Sequence, residues 1–299
     1  MSKTKNKKRS QAPVALVYFT TLLVFMGVFG FIAYRLMQKV DSLNGDDSLA
    51  PVDSSADFTI MFARTSDTST LVDMGLIRFR PGSDKIIITP VPGETIYQQS
   101  GSNMRAVYEE GGIRKLEKAV EDTFSINVDF YVTTSQENFE SVCDVLGGIV
   151  YTPTVLLYRL SEKDTEDISY QAGVATTMTG RQIRLLADTP EVFPDGKTDA
   201  IKFFGDALAQ MVNNAFQQIN LTKNSLDNIY TLFVAGGESN YTKNDYRLHK
   251  SYINEMLDHN IKPAELLIPE GSWADDGGFY VDSTFVNELM ETYEGKVPS

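Results

Sequence analysis

The feature that most constrains this chain is an uncharged apolar run over residues 14–34. Its length of about twenty residues is enough for a single helix to cross a bilayer. Five basic residues and no acidic residue precede it. Basic residues next to a membrane span remain on the cytoplasmic side. The sequence therefore predicts a signal anchor that holds the N-terminus in the cytoplasm and places the rest of the chain outside the cell membrane.

Two other interpretations of this run compete with an anchor. A cleaved signal peptide would have a shorter apolar core and a cleavage site of small residues, whereas this run continues into Arg35 and Lys39. A buried core helix would be unusual directly behind a basic tail. We therefore predict four segments, namely a cytoplasmic basic tail (1–13), a transmembrane anchor (14–34), a flexible stalk rich in Ser, Asp and Pro (35–56) and one extracytoplasmic domain (57–299).

The charge of the predicted exterior part excludes one class of partner. Seven of the 27 basic residues and none of the 40 acidic residues precede Asp41, so the remainder has a formal charge of −20. A nucleic-acid partner requires a basic surface. We therefore predict that the protein binds no nucleic acid.

The single cysteine, Cys143, cannot form an internal disulfide. It lies in an apolar rhythm with Phe139 and Leu146, which predicts a buried side chain rather than a catalytic thiol. The chain has only two histidines, His249 and His259, and therefore offers no zinc site.

Strand and helix patterns alternate along the exterior part, which is typical of an α/β sheet covered by helices. The predicted strands are 58–63, 70–80, 85–91, 128–132, 149–152, 229–234 and 264–268. The predicted helices are one opened by Gly111-Gly112 and running to residue 124, one capped by Ser135, one from Thr179-Gly180 to residue 186, 199–219, 244–257 and one from Asp282. Residues 153–178 are predicted to form a surface loop.

Several short motifs, in this order, resemble the LytR-CpsA-Psr family. They are Arg105-Ala-Val-Tyr108, Gly111-Gly112, Val128-Asp129-Phe-Tyr131 and Asp144-Val-Leu-Gly147-Gly148. The basic tail and single anchor also fit the usual layout of the family, and the resemblance covers about residues 57–295. It implies a three-layer α/β/α sandwich with a mixed central sheet.

The resemblance also implies a function. Family members are enzymes of bacterial cell envelopes that hold a polyprenyl-pyrophosphate-linked glycan in an apolar tunnel and transfer it to peptidoglycan. They use magnesium and an arginine cluster at the pyrophosphate. Guanidinium groups or a metal ion would stabilise the negative charge that grows on a pyrophosphate leaving group.

This chain departs from the family pattern where that charge would be stabilised. Pro92-Gly93-Glu94-Thr95 stands where the family has Pro-Arg-Asp-Thr, so that Gly93 replaces an arginine. Arg105 stands where the family has an asparagine, and three or more arginines expected downstream are missing, with only Lys197 and Lys202 in the last of those segments.

The remaining site candidates are few. Asp73 and Glu94 are the candidate metal ligands, for a magnesium ion. Gly93, Glu94 and Arg105 are the candidate ligand-binding positions, and an arginine introduced at residue 93 is predicted to face the phosphate. The sequence leaves the catalytic residues open, with Arg78 and Arg105 as candidates. Each of these residues also has a purely structural interpretation as a strand, turn or surface residue, and the same holds for Arg181 and Arg184 as further phosphate-binding candidates.

These observations lead to one main hypothesis and two alternatives. The main hypothesis is a membrane-anchored, extracytoplasmic, degenerate transferase that binds lipid-linked glycan or scaffolds an active paralogous protein. The first alternative is an active phosphotransferase that attaches polyprenyl-pyrophosphate-linked glycopolymers to peptidoglycan. The second is a surface adaptor without lipid binding.

Overall fold

The computed structural model describes residues 57–160 and 167–295. The predicted tail, anchor and stalk lie outside these residues, and the anchor stays a prediction. Among the described helices, none is both long enough and apolar enough to span a membrane.

The described residues alternate between strands and helices. The strands are β1 Phe58–Thr65, β2 Leu71–Arg80, β3 Lys85–Pro92, β4 Ile96–Tyr97, β5 Ser102–Asn103, β6 Phe130–Ser135, β7 Ile149–Tyr151, β8 Leu157–Arg159, β9 Ile168–Tyr170, β10 Thr176–Met178, β11 Ala264–Leu266, β12 Gly271–Trp273 and β13 Phe279–Val281. The helices are α1 Met104–Phe124, α2 Gln136–Val145, α3 Gly180–Ala187, α4 Lys197–Gln217, α5 Ile219–Val234, α6 Lys243–Asp258 and α7 Ser283–Glu294.

The centre of the domain is a five-stranded sheet with the order β11-β3-β2-β1-β6. Strands β1, β2 and β3 pair antiparallel, whereas β6 pairs parallel with β1 and β11 pairs parallel with β3. The predicted α/β class with a mixed central sheet is therefore confirmed. All residues of β1 are buried, as expected for a strand covered on both faces.

Helices pack on both faces of this sheet, and the alternation of side chains along β1 separates the two cores. Met61 and Ala63 pack with residues of α1 and α7. Ile60 and Phe62 point to the opposite face and pack with residues of α2 to α6. Arg64 continues this second alternation, so its side chain enters the second core.

Local capping residues set the starts of the helices near the site. The Ser135 side chain accepts a hydrogen bond from the Asn138 N–H at 3.2 Å and caps α2. Thr179 and Gln182 form a capping box at the start of α3. Both helix starts agree with the prediction from the sequence.

Two predicted elements are wrong, and a third is correct only in part. Residues 229–234 form the end of α5 rather than a strand, since a short apolar run does not by itself distinguish a buried strand from one side of a helix. The predicted loop 153–178 contains the short strands β8, β9 and β10. The helix predicted from Gly111-Gly112 to residue 124 is confirmed as the part of α1 that follows a kink at Gly112, where φ is 66°, but α1 itself begins earlier, after its cap Asn103.

Candidate functional site

A fully buried arginine, Arg64, bridges two aspartates near the end of β1. It lies opposite Asp73 across the β1–β2 pair. Its Nε donates to Asp73 Oδ1 at 3.0 Å, its Nη1 donates to Asp188 Oδ2 at 3.1 Å, and its Nη2 lies 2.5 Å from an oxygen of each carboxylate. Each aspartate is therefore held by two hydrogen bonds from one guanidinium, the strongest geometry for this pair.

The surroundings of Arg64 keep it charged and fixed. Its guanidinium carbon lies 5.4 Å from the ring centre of Phe139 and 5.7 Å from that of Phe204. Burial alone would lower the pKa of Arg64, but the two aspartates outweigh burial and raise this pKa above its ordinary value. Burial raises the pKa of Asp73, and Arg64 counteracts that effect. The cluster is therefore a buried ion triad rather than three independent charges.

A second arginine extends the triad toward α2. Arg184 and Asp188 lie one turn apart at the end of α3, with Arg184 Nη1 3.4 Å from Asp188 Oδ2. The Nε of Arg184 also donates to Glu140 of α2. Because Asp188 forms the C-cap of α3, the position of this helix determines where the carboxylate meets Arg64.

Glu94 lies between two cations where the chain leaves β3. Its Oε1 is 3.1 Å from Arg105 Nη1 and 3.2 Å from Lys197 Nζ. Arg105 lies in the first turn of α1, where its N–H donates to Gly93 O at 3.0 Å and its Nη2 donates to Val72 O at 2.8 Å. The first turn of α1 is thereby tied to both β2 and the turn after β3.

Lys197 carries the second cation from the other side of the site. It is the first residue of α4, and its Nζ lies 4.8 Å from the ring centre of Trp273. Trp273 ends β12, and its Nε1 donates to Thr198 Oγ1 at 3.2 Å. The only tryptophan of the chain therefore lies beside a cation at the edge of the site.

These residues surround a cleft of about 270 Å³, here called the polar pocket. Its lining residues are Val72, Asp73, Pro90, Val91, Pro92, Gly93, Glu94, Arg105, Ala187, Asp188, Pro190, Lys197, Ala200, Ile201, Phe204 and Trp273. Three carboxylates and two half-buried cations thus line one cleft, and the buried Arg64 lies behind Asp73 and Asp188.

A second space, here called the apolar cavity, has a volume of about 90 Å³ on the same side of the sheet. Its lining residues are Phe62, Ile77, Ile88, Thr134, Phe139, Val142, Cys143, Leu146, Leu208, Met211, Val212 and Phe233. Gly75 lies opposite Phe62 across the β1–β2 pair, and a Cβ at Gly75 would be 2.2 Å from the Phe62 ring. The absence of a side chain at Gly75 therefore lets Phe62 lie over β2.

Arg64 and two aromatic rings lie where the two spaces approach each other. Phe204 lines the polar pocket, Phe139 lines the apolar cavity, and the centres of the two rings are 5.9 Å apart. Arg64 stacks on both rings and holds two aspartates that line the polar pocket. The Arg64 triad with Phe139 and Phe204 is called the dividing wall below.

Most of the predicted site residues meet in the polar pocket. Asp73, Gly93, Glu94 and Arg105 all line it. Arg78 lies elsewhere, where it donates to Thr59 Oγ1 at 3.1 Å and lies 3.7 Å from Asp57 and 3.8 Å from Asp129. The predicted burial of Cys143 is confirmed, and burial raises the pKa of its thiol.

The surroundings of Gly93 leave no room for the arginine that the family pattern would place there. A Cβ at residue 93 would lie 2.6 Å from Val72 O and 2.7 Å from Arg105 Nε. The first of these neighbours is backbone and cannot move cheaply. The expectation that an introduced arginine would face a phosphate from this position is therefore wrong, because Arg105 and the backbone of Val72 already occupy the space.

The resemblance implies a magnesium ion, but the side chains do not fit one as they are arranged. Both oxygens of Asp73 and both of Asp188 accept from Arg64, and Glu94 is paired with two cations. Within residues 57–160 and 167–295, no three His, Cys, Asp or Glu side chains are grouped to hold a metal. The metal-ligand prediction for Asp73 and Glu94 is thus left to experiment, and no step below involves a metal.

Sequence reasoning missed the residue at the centre of the site. Arg64 follows the predicted strand 58–63 directly, and the period of two that points Ile60 and Phe62 inward also points Arg64 inward. A charged residue in the inward register of a buried strand requires a partner. That signal was present in the sequence, whereas nothing in it placed Trp273 near Lys197.

The fold and the site together define an α/β domain with a charged pocket beside an apolar cavity at one end of a mixed sheet. Residues 83–188 match the model of the LytR_cpsA_psr family. The resemblance stated from the sequence motifs is thereby confirmed. The matched segment includes Glu94, Arg105 and Asp188 and ends before Lys197.

Solved structures share this fold at low sequence identity. A protein of Eubacterium siraeum described as a transcription regulator has a TM-score of 0.73 at 15% identity and covers 83% of this chain and 95% of its own. TagV of B. subtilis has a TM-score of 0.63 at 18% identity, with coverage of 80% and 96%. The LytR-CPS2A-psr family protein YwtF (TagT), solved with bound octaprenyl pyrophosphate lipid, has a TM-score of 0.56 at 15% identity, with coverage of 83% and 93%. No curated protein sequence matches this chain significantly.

Proposed function

We propose that this chain is a membrane-anchored, extracytoplasmic protein of bacterial cell-envelope assembly that binds a polyprenyl-pyrophosphate-linked glycan and is a degenerate transferase. One observation carries the proposal. A pocket that contains Arg105 and Lys197 adjoins an apolar cavity across the dividing wall. A prenyl pyrophosphate has a charged pyrophosphate that would suit the polar pocket and an apolar prenyl chain that would suit the apolar cavity.

The polar pocket suits the pyrophosphate part. Arg105 and Lys197 both line it and reach it from opposite sides of Glu94. Their side chains are each 39% exposed, so they can turn from Glu94 toward a bound anion. A charge-assisted hydrogen bond to phosphate contributes roughly 1.5–3 kcal/mol.

The apolar cavity suits the beginning of a prenyl chain. Pockets for drug-sized ligands have volumes of about 300–1,000 Å³, whereas this cavity has about 90 Å³. It is therefore too small for a long prenyl chain unless lining side chains such as Phe139 and Phe233 move. We expect the lipid to bind by displacing these rings.

The charge balance of the site favours binding over catalysis. Arg64 is held by Asp73 and Asp188, and both Arg105 and Lys197 are held by Glu94. A pyrophosphate leaving group needs uncompensated positive charge where its negative charge develops. Because three carboxylates balance these three cations in total, little net positive charge remains for a transition state.

An active phosphotransferase is the second candidate function. The observation that favours it is that Arg105, a predicted catalytic residue, lines the polar pocket together with Lys197. Transfer of glycan to peptidoglycan by the purified full chain, at a rate that Arg105→Gln abolishes, would establish this candidate and contradict the degenerate site. We expect no transfer above background.

The test of binding is calorimetric titration of geranylgeranyl pyrophosphate into the full chain in detergent. We expect binding that is weaker by about ten- to a hundredfold in an Arg105→Gln/Lys197→Gln variant, because two charge-assisted contacts are removed. The control is Lys118→Gln, in which only the exposed Lys118 of α1 is changed and the affinity should not change. Absence of binding to the unmodified chain would favour the surface adaptor.

The anchor is tested separately. Fractionation of cells that express the full chain should place it in the membrane, and deletion of residues 1–40 should release it. Recovery of the full chain in the soluble fraction would contradict the proposed anchor without affecting the binding proposal.

A further inference from the structure

We propose that the Arg64 guanidinium is a permanent internal cation that takes the place of a divalent metal ion between Asp73 and Asp188. The polar pocket would then bind anions without magnesium. The first statement depends only on the geometry of the dividing wall, and the second rests on the proposed function.

The carboxylate oxygens that would coordinate a metal ion are already occupied by Arg64. Asp73 and Asp188 each present both oxygens to Arg64, at distances of 2.5–3.1 Å. A guanidinium has five N–H donors. The three nitrogens of Arg64 make four hydrogen bonds, two to each aspartate, so that every carboxylate oxygen of the pair is engaged. A magnesium ion requires near-octahedral oxygen ligands at about 2.0–2.1 Å, and the guanidinium occupies the space between the two carboxylates where it would have to lie.

Arg64 cannot leave this position easily. Its side chain has 0% exposure, whereas the side chains of Asp73 and Asp188 have 19% and 22%. The aspartates therefore reach the pocket and the arginine lies behind them. The rings of Phe139 and Phe204 pack against the guanidinium, and removal of the arginine would leave two carboxylates facing each other in a largely buried place.

The charge of an arginine also differs from that of a bound metal in one functional respect. Guanidinium is not deprotonated in proteins, and it is covalently attached to β1. The positive charge in the dividing wall is thus independent of the supply of divalent cations outside the cell. Anion binding would then depend on Arg105 and Lys197, which line the pocket and are the cations exposed enough to move.

The direct test is titration of the full chain with Mn²⁺ alone, in which electron paramagnetic resonance measures the bound and free ion. The wild-type chain and an Asp73→Asn variant should show the same weak surface binding. Asp73→Asn leaves Arg64 paired with Asp188 and should therefore fold. A wild-type Mn²⁺ site that is lost in Asp73→Asn would overturn the inference.

A gain of metal binding gives the complementary test. Arg64→Ser frees both carboxylates and should create one additional Mn²⁺ site, which Arg64→Ser/Asp73→Asn should lack. Arg64→Lys retains a cation at this place and should create no site. An Arg64→Lys chain that binds Mn²⁺ as the Arg64→Ser chain does would contradict the role of the charge. If Arg64→Ser does not fold, the wild-type and Arg64→Lys titrations still decide.

The consequence for ligand binding is tested with geranylgeranyl pyrophosphate in EDTA and in magnesium, with a correction for the magnesium complex of the free ligand. The affinity of the wild-type chain should agree within about twofold, because the contacts come from side-chain cations. Binding only in magnesium would overturn the inference. Absence of binding in both buffers would instead contradict the proposed function, and the Mn²⁺ titrations would then decide the inference alone.

Discussion

The polar pocket and the apolar cavity lie on the same side of one sheet but are built in opposite ways. The pocket is lined by three carboxylates and two cations. Glu94 is paired with the cations Arg105 and Lys197, and the two aspartates are held by Arg64 behind them. The cavity is lined almost entirely by apolar side chains, with Thr134 as the exception. The difference arises because the same strand, β1, contributes Phe62 to the cavity and Arg64 to the wall of the pocket.

The comparison shows how the protein keeps charge next to an apolar space. A buried charge is tolerated only where it is paired and hydrogen-bonded. Arg64 meets this requirement through Asp73 and Asp188, and its flat guanidinium also packs on Phe139 and Phe204. The dividing wall thus presents its two carboxylates and the Phe204 ring to the pocket and the Phe139 ring to the cavity.

The largest expected effect is on the dividing wall itself. Arg64→Met leaves Asp73 and Asp188 without their shared cation, and loss of one partner of a buried ion cluster costs about 3–5 kcal/mol of stability. Urea unfolding of the two chains measures the difference. Arg80→Met is the control, because Arg80 is more exposed and its ion pair with Asp57 should contribute less than about 1 kcal/mol.

The wall variant also sharpens the comparison if the carboxylates are removed with the cation. Replacement of a complete buried ion cluster leaves no unpaired buried charge, and it often changes stability little when the new side chains are apolar and well packed. We therefore expect Arg64→Met/Asp73→Asn/Asp188→Asn to recover much of the stability lost in Arg64→Met. An equally unstable triple variant would mean that packing of the Arg64 side chain, and not its charge, holds the two regions apart.

A smaller effect is expected in the wall of the polar pocket. Gly93→Ala introduces a Cβ that would lie 2.6 Å from Val72 O and 2.7 Å from Arg105 Nε. Overpacking of this kind costs roughly 1–3 kcal/mol, and displacement of Arg105 should also weaken binding of geranylgeranyl pyrophosphate. Thermal unfolding and calorimetry measure the two effects.

The control for this change is Gly111→Ala. A Cβ at Gly111 would meet only the flexible side chain of Lys115, and alanine is favoured over glycine inside a helix by roughly 0.5–1 kcal/mol. Equal destabilisation by Gly93→Ala and Gly111→Ala would contradict the crowding at Gly93.

A still smaller effect on stability is expected in the apolar cavity. Val212→Phe fills space that the cavity already contains, so stability should change by less than about 1.5 kcal/mol. The larger ring should weaken binding of geranylgeranyl pyrophosphate and leave inorganic pyrophosphate unaffected, because it changes only the apolar region. Val150→Phe, on an exposed strand position, is the control. Equal loss of both ligands would mean that the two regions do not act separately.

The smallest expected effect is the absence of a reaction. Cys143 lines the apolar cavity, and burial raises the pKa of its thiol. Because a raised pKa keeps the thiol protonated above its ordinary pKa of about 8.5, we expect no reaction with Ellman's reagent in the folded chain even at about pH 9. In concentrated guanidinium one thiol should react. Rapid reaction of the folded chain would show that the cavity is open to water.

The sequence could predict much of the sheet and several of the residues that line the polar pocket. The strands at 58–63 and 85–91 were correct because continuous apolar runs between turn residues indicate buried strands. The cap Ser135 and the helix start at Thr179-Gly180 are predicted correctly because capping is a local interaction. Asp73, Glu94 and Arg105 were found through residue type and the family motifs.

Long-range contacts could not be predicted in this way. Asp188 lies 124 positions from Arg64 in the sequence, and Lys197 approaches Glu94 only because α4 packs beside the end of β3. His249 lies in a polar helical pattern, yet its ring stacks on Phe58 with the centres 3.7 Å apart. In each case the partner comes from a distant element.

The sequence by itself therefore determined the α/β class, the starts of α2 and α3 and the chemical types available at the site, since these depend on neighbouring residues and on the side-chain period. Only the tertiary structure decided that Asp73 is paired with Arg64, that Gly93 has no room for a side chain, and that charge and apolar space meet at one wall. The physical reason is that a buried charge is stable only with partners, and the packing of α3 and α4 against the sheet selects those partners from remote parts of the chain.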